Sequence, residues 1–105
     1  VMTRTMGSSK IPEVGQIVQV TQGRDSGKYA VVIGVEDRFV YIVDGDKRKF
    51  DRPKKKNLLH VRLLNEVARE VADSIRETGR VTNGKLRFVL SRYANESEEA
   101  QEKGE

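Results

Sequence analysis

Gly23-Arg24-Asp25-Ser26-Gly27-Lys28 is a place where residue type and spacing support chemistry. Two glycines four positions apart let backbone N–H groups come close to an anion, and Arg24 and Lys28 add charge beside them, so the chemistry is the holding of a phosphate. The same glycines also suit a tight turn that needs positive φ. A second cationic stretch runs from Lys47 to Arg62, where Lys47, Arg48, Lys49, Arg52, Lys54, Lys55, Lys56 and Arg62 are opposed only by Asp51. A run of charge is often no more than a solvated face, but this density repels itself unless an anion is near. Lysine and arginine on phosphates give an affinity that falls with salt and carries no sequence information. Base contacts would have to come from rings. Tyr29, Phe39, Tyr41 and His60 are the candidates to stack on an unpaired base, with Tyr29 and His60 expected to be the exposed ones.

Other chemistry is poorly supplied. The chain has one histidine and no cysteine. It also lacks a Gly-x-Ser-x-Gly elbow, a P-loop and any ligand cluster with metal spacing, so the expectation is no enzyme, no cofactor and no metal site. Asp44, Asp46 and Asp51 flank a glycine amid lysines that would repel a cation, and they read as turn residues. The absence of cysteine fits a reducing compartment, the apolar stretches are too short to span a membrane, and the first residues carry no basic-then-apolar leader. These features together predict a cytoplasmic protein with no membrane partner and no small-molecule substrate.

The elements that must position these residues come from one domain. At 105 residues, 36% hydrophobic and 34% charged, the chain has a small interior and a dense charged surface. The net charge of +4 is uneven, with 13 Lys/Arg against 7 Asp/Glu in residues 1–64 and 7 against 9 in residues 65–105. Residues 1–11 read as a flexible arm. Val18 and Val20 begin a strand that breaks at the Gly23–Gly27 turn. Tyr29 to Val35 and Phe39 to Val43 continue a meander through turns at Glu36-Asp37-Arg38 and Asp44-Gly45-Asp46. Lys47 to Phe50 and Asn57 to Leu64 read as two more short strands, with Arg52-Pro53-Lys54 bulging between them. Five short strands over 12–64 predict a closed barrel with Val18, Val20, Val32, Val35, Val40 and Ile42 inside.

From Leu64 the apolar period changes to 3.6. Leu64, Val67, Val71 and Ile75 make one helical stripe between a capping Asn65 and a stop at Gly79, and Thr82 caps a second helix bearing Leu86, Val89, Leu90 and Tyr93. The stripes read as core packing, with the helices paired or packed on the barrel. Residues 95–105 are acidic and apolar-poor and predict a disordered tail.

The run Gly15 to Lys28, followed by Ala30, Val32 and Val35, resembles the KOW motif of ribosomal and NusG-type transcription proteins. It has a glycine before the first strand, alternating valines, a glycine-basic-Asp-x-Gly-Lys turn and a second strand restarting on small and branched residues. The basic run with Asn57-Leu58-Leu59-His60-Val61 also looks like the end of the large-subunit ribosomal protein of the fourteen-e type. Bacterial relatives of this type tend to carry a short helical extension, which the two helices match. The resemblance implies an α+β fold, a five-stranded SH3-like barrel with two short C-terminal helices. It also implies a monomeric RNA-binding protein acting on rRNA or the ribosome in translation or ribosome assembly. The RNA-binding set is then Gly23, Arg24, Gly27, Lys28, Tyr29, Lys47, Arg48, Lys49, Arg52, Lys54, Lys55, Lys56 and His60. A protein-interaction module of the transcription machinery is the alternative, and a regulator that binds an enzyme through its helices is a third reading.

Overall fold

The computed structural model of the protein describes residues 11–103, so the expected arm lies outside the described residues except for Ile11, which is exposed. Gln16–Val20 (β1), Tyr29–Glu36 (β2), Phe39–Val43 (β3), Lys54–Asn57 (β4) and Val61–Val67 (β5) form one antiparallel sheet in the order β4-β3-β2-β1-β5. A 3-10 turn over Leu58–His60 joins β4 to β5, and the helices Arg69–Thr78 (α1) and Asn83–Lys103 (α2) follow. The class is α+β, with an SH3-like arrangement of five strands. The sheet is not closed as the sequence suggested, because β4 and β5 are its two edges. The β4 edge is Lys54-Lys55-Lys56-Asn57, and lysines of this kind discourage edge-to-edge pairing.

Strand alternation sends side chains to two cores. Val18, Val20, Ala30, Val32, Val40, Ile42 and Val61 form the inner one. Ile17, Val31 and Val43 point the other way and are covered by Val71, Val81, Leu86, Val89 and Leu90 from the helical region. The helices therefore pack on the outer face of the sheet, and β1 to β3 are buried on both sides. Of the six residues expected inside, five are buried. Val35 is 44% exposed because it sits at the turn end of the β2–β3 hairpin, beside the turn in which Asp37 takes a φ of 56°. A bulge between Val32 and Gly34 is what aligns Val35 with Val40.

Three boundaries differ from the sequence reading. Lys47–Phe50 is not a strand, because its backbone donors are used elsewhere: Asp44 Oδ1 accepts from the Arg48 amide at 2.8 Å and Asn83 Oδ1 accepts from the Phe50 amide at 2.8 Å. The strand lies instead at Lys54–Asn57, which begins on the last residue of the expected Arg52-Pro53-Lys54 bulge and takes in Asn57, expected to open the next strand. The first helix begins at Arg69, since β5 continues through Leu64 to Val67, which pairs with Gln16 of β1 across a register shift, and the Ala68 amide donates to the Gly15 carbonyl at 2.7 Å. Gly79, at a φ of 78°, ends α1 as expected. Thr82 caps α2, its hydroxyl accepting from the Lys85 amide at 3.1 Å. α2 then runs through residues 95–103, because a shortage of apolar residues argues against core packing while Ala, Glu, Gln and Lys still favour a helix.

Candidate nucleic-acid interface

Three segments, the first well separated in sequence from the other two, meet at one end of the inner face. The β1–β2 turn contributes Gly23, Arg24, Asp25 and Lys28, the loop after β3 contributes Lys47 and Arg48, and β4 contributes Lys54 and Lys56. Register explains the last pair. In the β3–β4 ladder Lys56 stands opposite Val40 and Lys54 opposite Ile42, both inner-core residues, so the two lysines leave the sheet on that side. The Lys56 ammonium lies 3.1 Å from where a Cβ on Gly23 would be, which ties β4 to the turn. A groove of about 490 Å³ is lined by Gly23, Arg24, Asp25, Lys47, Arg48, Lys54 and Lys56, five cations against one carboxylate. A contiguous recess adds Lys28, Asp44 and the flank of Val20, Tyr29, Ala30 and Ile42.

Local structure decides which groups are left to meet an anion. Gly23 and Gly27 have φ of 99° and 93°, so both glycines satisfy the turn's backbone demand. Within the turn the amides of Ser26, Gly27 and Lys28 already donate to the carbonyls of Gly23, Val20 and Asp25, at 3.2, 2.7 and 3.0 Å. Those three amides are thus not free to receive an anion, and the side chains of Arg24 and Lys28 are the charged donors that the turn offers. Lys28 lies 3.9 Å from Asp25, an exposed pair that an incoming anion can break at little cost.

The loop that carries Lys47 and Arg48 is held from both ends. Asp44 Oδ1 accepts from the amides of Asp46 and Arg48, each at 2.8 Å, which gives Asp44 the turn role expected for it. Gly45, at a φ of 81°, is buried against α2, and the Arg87 guanidinium donates to its carbonyl at 2.7 Å. A Cβ at Gly45 would collide with the Asn83 carbonyl oxygen and lie 2.9 Å from the Leu86 Cβ. The start of α2 thus braces the cationic loop. Sequence reasoning missed Gly45, Asn83 and Arg87 as parts of the site, and the only local signal was the glycine between two aspartates.

Other expected site residues lie elsewhere. Lys55 is sent by strand alternation to the opposite face, where it sits 4.6 Å over the Phe39 ring and 4.0 Å from Glu36. The grouping of Lys54, Lys55 and Lys56 on one side held only if the run were looped, and it is a strand. Tyr41 shares that outer side, and its hydroxyl donates to Glu36 at 2.5 Å, which raises the tyrosine pKa above its ordinary value. Lys49 and Arg52 are exposed on the bend after the loop, with the Arg52 amide bonded to the Lys49 carbonyl, and neither lines the groove. His60 is half-buried at the end of the 3-10 turn, away from the groove lining. Tyr29 is not freely exposed as expected: its ring stands edge-on to Tyr93 at 5.4 Å and packs against the outer core.

The groove has charge and backbone turns but, among the described residues, no group of His, Asp or Glu placed to hold a metal. Among the described residues no helix is long and apolar enough to cross a membrane. No protein-family model matches the chain. A similar curated protein is the "Putative ribosome-binding protein YbzG" of Bacillus subtilis (strain 168), 44% identical over 71 residues, which is 67% of this chain and 96% of the relative.

Proposed function

The chain belongs to the family of the Bacillus subtilis protein YbzG, and from that premise we propose that it is a non-catalytic RNA-binding protein that associates with the ribosome. The observation that carries this reading is the meeting of Arg24, Lys28, Lys47, Arg48, Lys54 and Lys56, from three separate segments, around one groove. The meeting of the turn cations Arg24 and Lys28 with four cations of the Lys47–Arg62 run is more than a merely solvated charge run produces, and it suits the phosphates of ribosomal RNA. The relative's name supports a ribosomal partner, and the KOW-like turn supports RNA within it. The protein acts in the cytoplasm as a monomer and needs no cofactor.

Sedimentation of the purified protein with ribosomes through a sucrose gradient tests this. The wild type travels with the particles at low salt and leaves them as salt rises, while Lys54→Glu/Lys56→Glu stays at the top. Wild-type protein that stays at the top at low salt, or a double variant that sediments like wild type, would overturn the reading.

A further inference from the structure

The aromatic residues of the chain are Tyr29, Tyr41, Tyr93, Phe39, Phe50 and Phe88, and all six lie among the described residues. A protein that reads unpaired bases needs at least one ring face open beside its cations, because stacking supplies the affinity that a sparsely charged single strand does not. Tyr29 is the only one that borders the cationic recess, and it is held edge-on by Tyr93. Phe39 lies under Lys55 and Tyr41 is bonded to Glu36, both on the other side of β3 and β4. Phe50 and Tyr93 pack against the outer core. Phe88 is 59% exposed, but it is on α2 with the Arg92 guanidinium 5.3 Å over its ring. His60 is not part of the groove lining either.

What the groove offers is charge on rigid supports. Lys54 and Lys56 project from a hydrogen-bonded strand, and Lys47 and Arg48 from a loop braced by Arg87 and Asn83. A site limited to charge gains most from the ligand with the densest phosphates. Duplexes also release more counterion per neutralised phosphate than single strands do.

Resting on the proposed RNA-binding role, we infer that the groove takes the phosphate backbone of a double-helical segment of structured RNA and does not bind by stacking unpaired bases. Recognition is then by shape and charge, with little dependence on sequence.

The test is fluorescence anisotropy with the full chain and two labelled probes, an RNA duplex of about 16 base pairs and an unstructured oligouridine with the same number of phosphates. Duplex affinity should exceed that for oligouridine by about tenfold or more near 0.1 M salt, with a log–log salt slope of roughly −3 to −5 from the groove cations. His60→Ala and Phe39→Leu should leave duplex affinity within about twofold, because neither ring stacks on a base. Equal or tighter binding of oligouridine, or about a tenfold loss in either ring variant, would overturn the inference while leaving RNA binding itself in place. If neither probe binds but the protein sediments with ribosomes, the duplex inference fails and the ribosomal association stands. If it neither binds nor sediments, both fail.

Discussion

The two faces of the sheet are built from the same alternating valines and end in different chemistry. On the outer face Ile17, Val31 and Val43 are covered by two helices, and the one lysine that β4 sends there, Lys55, is matched by Glu36 and Phe39. On the inner face Val18, Val32, Val40 and Ile42 fill the SH3-like core, and beyond them the sheet opens into a groove with six cations and two carboxylates. Adjacent lysines in one strand thus have opposite fates. Positive charge in the sequence becomes a site only where register and turns gather it without neutralising it.

The largest expected effect tests the outer face. Leu86→Ala removes a fully buried side chain where α2 meets the sheet and should cost about 2–5 kcal/mol in denaturant unfolding. An effect below about 1 kcal/mol would mean that α2 is not packed as described.

Gly45→Ala joins the two regions. The positive φ and the collision with Asn83 should cost roughly 1–3 kcal/mol, read by the same unfolding assay. Because the cationic loop loses its brace, phosphate-dependent RNA binding should weaken as well. Binding that survives unchanged in a destabilised variant would show that the brace does not position Lys47 and Arg48.

The sharpest contrast between the faces lies within β4. Lys54→Glu/Lys56→Glu should weaken RNA binding by about tenfold or more, about 1.4 kcal/mol, with stability within about 0.5 kcal/mol of wild type. Lys55→Glu, on the other face, should change binding by about threefold or less, through net charge alone. Equal losses in the two variants, read by titration at a fixed salt concentration, would erase the distinction between the faces.

The smallest effect concerns the link between the helices. Arg92 Nη1 lies 2.8 Å from Glu70 Oε2, and this bond, together with a backbone hydrogen bond in the first turn of α1, lowers the Glu70 pKa below its ordinary value. A lowered carboxylate pKa stabilises the fold above the unfolded-state value, and the contribution is lost as pH falls through the folded value. Both side chains are about a third exposed, so Glu70→Gln should cost about 0.5 kcal/mol or less at neutral pH and nothing in strong acid. A penalty that grew as pH fell would have the wrong sign for this pair.

Much of the inner face was legible in the sequence. Alternation at Val18 and Val20, the two glycines of the first turn and the tight turn at Asp37 are local signals, and they place β1 to β3 and the inner core closely. The outer face was harder to read, because Ile17, Val31 and Val43 look like solvent positions until the helices are known to cover them. The start of α1 was misplaced because Leu64 and Val67 happen to continue the spacing of Val71 and Ile75. The partner that keeps them in a strand, β1, is some 50 residues away, and Gln16 seals the irregular pairing by donating to the Leu64 carbonyl at 3.0 Å. In the site, the cations themselves were evident, but their sorting into Lys54 and Lys56 against Lys55 depends on the ladder with β3. The roles of Asn83 and Arg87 are tertiary contacts across 33 and 42 residues, which no local pattern announces.

The most direct test of the central claim is a nitrogen-15 correlation NMR titration of the protein with a ribosomal RNA hairpin at two salt concentrations. Shifts should concentrate at Gly23–Lys28, Lys47–Arg48 and Lys54–Lys56 and shrink as salt rises, with α1 and the exposed face of α2 unmoved. Shifts centred on the helices, or amides around the groove that stay in place at low salt, would contradict the claim.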